Sequence, residues 1–118
     1  MPTGAERGNM IGIKTVLCPM DFSPITGRVL GLAIQVSQLF NSKLVLHHSN
    51  ENGLLTKEVL NESEDFNAYE SLQEMIARAP SSIHVESRIT QGHAHTAILE
   101  LARSLPADLI VMGTHGRS

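Results

Sequence analysis

The sequence of 118 residues has few of the features that mark nucleic-acid or membrane-surface proteins. It contains no Trp, one Tyr and three Phe, which leaves few rings for stacking against bases. Basic residues are not in excess, because nine Lys and Arg stand against twelve Asp and Glu, for a net charge of -3. This balance argues against partners such as nucleic acid or an anionic membrane surface.

Cysteine and long apolar segments are also scarce. Cys18 is the only Cys and cannot form an internal disulfide, so a reducing cytoplasm is the expected location. No apolar run approaches the roughly 18 residues that span a bilayer, and the N-terminus lacks the pattern of a secretory signal. We expect residues 11–118 to form one domain, preceded by a flexible arm over residues 1–10.

Apolar periodicity predicts four strands that alternate with three helices. The strands are predicted at about residues 14–19, 43–47, 83–90 and 108–112, and the helices at about 24–41, 61–79 and 94–104. Helices between consecutive strands imply an α/β fold with a mainly parallel sheet and right-handed crossovers. The third strand alternates strictly between apolar and polar residues, which predicts an edge position or one wet face.

Two strand ends carry the residues best suited to a ligand crevice. Pro19 and Asp21 follow the first strand, and Gly113 opens a polar turn after the fourth. If the strand order is 3-2-1-4, these ends are neighbours and their connections leave in opposite directions, which is where open α/β sheets bind ligands. Asp21 could then accept hydrogen bonds from a ribose or a base. Alternatively, it only supports the turn into the first helix.

The turn after the fourth strand is compatible with phosphate binding. Gly113 and Gly116 would let the backbone approach an anion closely, while Arg117 and Ser118 would add a cation and a hydroxyl. The alternative is an ordinary turn with solvated side chains. The segment is not a P-loop, which has four residues between its glycines and then Lys.

The spacing of the six histidines does not indicate a metal site. His47 and His48 are adjacent in a strand and face opposite sides, and His93 and His95 flank a helix start and diverge. Cys18 lies in a buried strand, so we expect a small core residue and not a nucleophile. Since no Ser-His-Asp set or carboxylate pair is evident, we expect no enzymatic activity.

Four segments together resemble the universal stress protein family. They are Val16–Pro24, Leu44–His47, Gly92 followed by Ala97–Ala102, and Ala107–Ser118. The resemblance runs from about Ile13 to the last residue. It implies a flavodoxin-like (adenine nucleotide alpha hydrolase-like) three-layer sandwich, usually with five parallel strands in the order 3-2-1-4-5. It also implies a homodimer, which we expect to form through the sheet edge.

The resemblance further implies an adenine-nucleotide ligand: ATP, with AMP or ADP as alternatives and Mg²⁺ accompanying ATP. The family's motif is Gly, two residues, Gly, nine residues, then Gly and Ser or Thr, and Gly113 and Gly116 match its first half. His48 stands where the family commonly has Val in the adenine pocket, and this adds a polar ring to an apolar slot. The implied site residues are Pro19, Asp21, His48, Met112, Gly113, Thr114, His115, Gly116, Arg117 and Ser118.

The second glycine segment, the following helix and the fifth strand of the family pattern are not among these residues. We therefore expect the order 3-2-1-4, with the fourth strand at an edge although its sequence is apolar on both faces. Leaving two of its side chains partly wet would cost roughly 1.5–3 kcal/mol each. We expect a further segment or a partner to cover this strand.

Two functional hypotheses follow. The first is a non-catalytic stress-response module that binds an adenine nucleotide. The second is a family member that does not bind nucleotide and acts through homodimerisation or partner binding.

Overall fold

A computed structural model describes residues 12–21, 26–50 and 64–113, with only the backbone of residues 64–67. The strands are β1 (Thr15–Pro19), β2 (Lys43–Asn50), β3 (Val85–Gln91) and β4 (Leu109–Ile110). The helices are α1 (Thr26–Phe40), α2 (Glu64–Arg78) and α3 (Ala94–Ser104). Within these ranges, no helix combines the length and the hydropathy that crossing a membrane requires.

The sheet has the order β3-β2-β1-β4 and every pairing is parallel. β1 pairs with β2 from Thr15↔Lys43 to Pro19↔His47, and with β4 at Val16↔Leu109 and Leu17↔Ile110. The predicted strand order and the parallel sheet are therefore confirmed. β1 lies in the middle and is paired on both sides.

Alternation along the central strands divides the core into two layers. Val16, Cys18, Leu44 and Leu46 are buried on the face that α1 and α2 cover, together with Leu72. Leu17 and Val45 point to the other face and pack against Leu101 of α3. Because the chain moves outward from β1 to β3 and then returns to β4, right-handed crossovers place the returning helix on the opposite face. The result is the predicted three-layer sandwich.

Several element boundaries differ from the prediction. β2 extends to Asn50, beyond the predicted end at His47, because Ser49 and Asn50 continue the pairing with β3. β4 is shorter than predicted, although the Val111 N–H still donates to the Leu17 carbonyl at 2.9 Å. α3 has the predicted bounds. The predicted start of the first helix, at about residue 24, lies outside the described residues.

The third strand occupies the edge position that its alternation predicts. Val85 and Ile89 pack against the α1–α2 layer, while Glu86 is ringed by basic groups. Its carboxylate lies 3.1 Å from His84 and 3.6 Å from both Lys43 and Arg88. The hydrogen bond from His84 is the main cause that lowers the pKa of Glu86. Charges of this kind discourage pairing of an exposed edge with another chain.

Among the described residues, the two faces of β4 are buried to different extents. Leu109 and Val111 pack into the α1–α2 layer. Ile110 pairs with Leu17, so it faces the α3 side, where 37% of it is exposed, and Met112 beyond it is 51% exposed. Within the part of the chain that the structure describes, these two apolar side chains are partly exposed, as expected for an edge strand.

Asp108 ties the start of β1 to the start of β4. Its Oδ2 accepts hydrogen bonds from the N–H groups of Lys14 at 2.9 Å and Thr15 at 3.0 Å. Its own N–H donates to the Thr15 carbonyl at 2.8 Å. The carboxylate thus fixes how β4 is placed against β1.

We predict that Asp108→Ala lowers the free energy of unfolding by about 1–2 kcal/mol, because two backbone donors lose a charged acceptor. Urea denaturation measures the change. Glu74→Ala, which removes an exposed carboxylate on α2, is the control and should change stability by less than about 0.5 kcal/mol. Equal stability of the two variants would contradict this role of Asp108.

Candidate functional site

The carboxyl ends of β1 and β4 lie side by side at one edge of the sheet. Leu17 pairs with Ile110, and the Val111 N–H donates to the Leu17 carbonyl at 2.9 Å, so the residues after β4 begin beside the last residues of β1. Asp21 and Gly113 follow immediately at the same edge. The predicted adjacency of these two strand ends is confirmed. In open α/β sheets a ligand crevice is expected at such a position.

Met20, between Pro19 and Asp21, is held by both of its backbone polar groups and by its side chain. Its N–H donates to the His47 carbonyl at 2.6 Å. Its carbonyl lies 3.1 Å from Nδ1 of His48. Its side chain is buried, with its sulfur 3.7 Å from that of Cys18. The residue before Asp21 is therefore held against His47 and His48 of β2.

Asp21 is exposed at the mouth of this edge. The hydroxyl of Thr26, the first residue of α1, donates to Asp21 Oδ1 across 3.4 Å, which is long for an O–H···O bond. This contact supports the alternative interpretation, in which Asp21 stabilises the turn into α1. A carboxylate can accept several hydrogen bonds, so support of the turn does not exclude a role toward a ligand, and the two interpretations are compatible.

The imidazole ring of His48 contacts the backbone of Met20. It is half-buried, and its Nδ1 faces the Met20 carbonyl. A carbonyl oxygen only accepts hydrogen bonds, so Nδ1 carries the proton in this contact. His48, which stands where the family resemblance implies Val, therefore makes a hydrogen bond to the backbone that Val could not make.

His47 is buried on the α3 side of the sheet with 1% of it exposed. Its Nε2 lies 2.8 Å from the hydroxyl of Thr90 on β3, while its Nδ1 has no hydrogen-bond partner among the described residues. Burial, and secondarily the neighbouring His48, lowers the pKa of His47 to about 4. The ring is therefore neutral at physiological pH.

The rest of the predicted site is only partly described. Met112 is exposed and Gly113 is half-buried. Thr114, His115, Gly116, Arg117 and Ser118 lie outside the described residues. Their predicted roles toward phosphate stay predictions.

Cys18 and the potential metal ligands give no sign of another reactive centre. Cys18 is fully buried, and burial raises the pKa of its thiol to about 12, so it is the core residue that was predicted. Within the ranges that the structure describes, no three His, Cys, Asp or Glu residues come together as metal ligands would.

A groove of about 530 Å³ lies between the end of β3 and α3, away from the crevice. Its lining includes the acidic side chain of Glu100 and the buried apolar residues Ala97 and Leu101. None of the predicted site residues lines it. Volume alone does not assign a ligand, so we follow the chemistry of the strand ends in locating the site.

Sequence reasoning missed the residues that hold the site in place. Met20 and Thr90 act through hydrogen bonds that depend on which strand residues are level with each other. The sequence offers no local signal for these contacts. Thr26 was detectable in principle, as a hydroxyl near the start of a predicted helix.

The comparison with protein families shows one match: the model described as the universal stress protein family matches residues 12–118. No curated protein sequence matches the chain. Among solved structures, the chain is similar to the universal stress protein UspA from Lactobacillus plantarum, with a TM-score of 0.79 and 21% identity over 90% of this chain and 80% of that one.

Two further solved structures are similar at somewhat higher identity. Protein Rv1636 from Mycobacterium tuberculosis H37Rv has a TM-score of 0.65 and 26% identity over 86% of this chain and 71% of that one. A universal stress protein in complex with cAMP has a TM-score of 0.66 and 26% identity over 83% of this chain and 70% of that one. These likenesses agree with the flavodoxin-like fold.

We predict that His47 makes stability depend on pH between about 6.5 and about 4. The unfolded state binds the proton below pH 6.5 and the folded state does not until about pH 4, so stability is fully present above pH 6.5 and falls as the pH is lowered. The free energy of unfolding should fall by about 3 kcal/mol in total.

The measurement is urea denaturation of the wild-type protein and of His47→Gln over this pH range. Gln can keep a hydrogen bond to Thr90 but does not titrate. The difference in stability between the two proteins should therefore shrink or reverse as the pH falls, while carboxylates contribute equally to both. A difference that does not change with pH would contradict the prediction.

Proposed function

Because the chain belongs to the universal stress protein family, we propose that it is a non-catalytic stress-response module that binds an adenine nucleotide. The observation that carries the proposal is the parallel pairing of β1 with β4, which brings the residues after both strands to one edge of the sheet. A similar protein of the family has been solved in complex with cAMP, which supports an adenine nucleotide as the ligand.

In this proposal Asp21 accepts hydrogen bonds from the ribose hydroxyls, for which an exposed carboxylate is well suited. Pro19 and His48 border the base. Met112, exposed at the end of β4, offers the base an apolar contact. These residues would hold the nucleoside half of the ligand.

The phosphates are proposed to lie against the turn that begins at Gly113. Gly113 and Gly116 would admit the anion close to the backbone, and Arg117 and Ser118 would donate to it. ATP is the proposed ligand, and AMP or ADP would share the nucleoside contacts. Mg²⁺ would be held by the phosphates of ATP. The cytoplasm, where ATP is available, is the proposed location.

A second candidate is a family member that acts without nucleotide, as a homodimer through the sheet edge. The observation in its favour is β4, where Ile110 and Met112 expose apolar surface on an edge strand. Pairing with a second copy would cover that surface.

We predict that ATP binds the protein and that Asp21→Asn weakens binding about tenfold, because a neutral amide is a poorer acceptor for the ribose hydroxyls. Isothermal titration gives the affinities. Glu70→Gln, a charge change at an exposed position of α2, should bind like the wild type. No heat and no thermal shift at millimolar ATP would defeat the proposal.

Sedimentation velocity separates the second candidate from the first. If the second holds, the protein is a dimer with or without ATP, and Ile110→Lys dissociates it because a charge cannot be buried in the paired edge. Leu99→Lys, at an exposed apolar position of α3, should leave the dimer intact. A monomer at all concentrations would rule out the second candidate.

A further inference from the structure

We propose that His48 is a positioning residue for the nucleotide site: its imidazole holds the Met20 carbonyl and thereby fixes the direction in which Asp21 leaves β1. The inference rests on the proposed function and deepens it. It assigns a role to His48, which stands where the family resemblance implies Val. In this protein the site would then require the imidazole.

The geometry of the peptide bond gives the contact its effect. The Met20 carbonyl and the Asp21 N–H belong to one planar unit, so holding the oxygen sets the orientation of the whole plane. The His48 Nδ1–H holds that oxygen at 3.1 Å, and the His47 carbonyl holds the Met20 N–H at 2.6 Å. Adjacent residues of β2 therefore fix the peptide groups on both sides of the Met20 Cα.

The contact from His48 acts on a different part of the chain from the neighbouring contacts. The buried Met20 side chain anchors the residue in the core but does not determine the rotation of the peptide that follows it. The hydrogen bond of 3.4 Å from Thr26 acts on the side chain of Asp21 and not on the Met20–Asp21 peptide. The imidazole of His48 acts on that peptide directly, through its carbonyl oxygen.

Two opposite expectations for His48→Val follow from this. If the ring only intrudes on an apolar slot for adenine, Val should tighten ATP binding. If the ring positions Asp21, Val should weaken binding, because Val has no donor for the Met20 carbonyl. The sign of the change in affinity distinguishes the two.

A matched pair of amide variants isolates the hydrogen bond from the size and polarity of the side chain. In His48→Asn the amide nitrogen stands close to the place of Nδ1, whereas in His48→Gln it lies one bond further out. We expect Val and Gln to weaken ATP binding by roughly fivefold to tenfold, and Asn to stay within about twofold of wild type.

NMR of the nucleotide-free protein tests the same claim without ligand. The ¹⁵N shifts of the His48 ring should show the proton on Nδ1. The order parameter of the Asp21 amide should be near the roughly 0.85 of rigid backbone in the wild type and in Asn, and should fall toward about 0.6 in Val and Gln.

The outcomes separate failure of the inference from failure of the proposed function. Absence of ATP binding by the wild type defeats the proposed function, while the ring tautomer and the order parameters still test the contact. ATP binding by the wild type together with equal or tighter binding by Val, or a proton on Nε2 of His48, overturns the positioning role.

Discussion

The structure depends on the pairing of β1 on both of its edges. β2 aligns it along its whole length, and β4 returns to its other side after the chain has travelled out to β3. Asp108 secures that return by accepting two N–H groups at the start of β1. The ends of β1 and β4 are therefore neighbours at one edge of the sheet, which is where open α/β sheets of this order bind ligands.

Two adjacent histidines of β2 hold the residue that joins β1 to Asp21. The backbone of His47 and the ring of His48 take the two polar groups of Met20, while the ring of His47 turns to the opposite face and meets Thr90. Adjacent residues of a strand point to opposite sides, so one pair of histidines contacts both layers. The ring of His47 is buried and neutral, and no described residue partners its Nδ1, so its protonation at low pH makes this end of the sheet sensitive to acid.

Much of the fold could be predicted because strong local signals agreed with the tertiary structure. α3 was predicted with its observed bounds, since Gly92 turns the chain at a φ of 105° and the apolar spacing that follows is regular. The end of β2 was placed too early because Ser49 and Asn50 are polar; both are buried, and the Ser49 hydroxyl donates to the Gly92 carbonyl at 2.7 Å. The contact of His48 with Met20 depends on the alignment of two strands, which sequence spacing does not contain.

The central claim is that the ends of β1 and β4 form one nucleotide site. Titration of the ¹⁵N-labelled protein with ATP, followed by amide chemical shifts, tests it most directly. The account predicts that the largest shifts occur together at Met20, Asp21, Met112 and Gly113. Shifts confined to Gly92 and Thr96, beside the groove between β3 and α3, would contradict it.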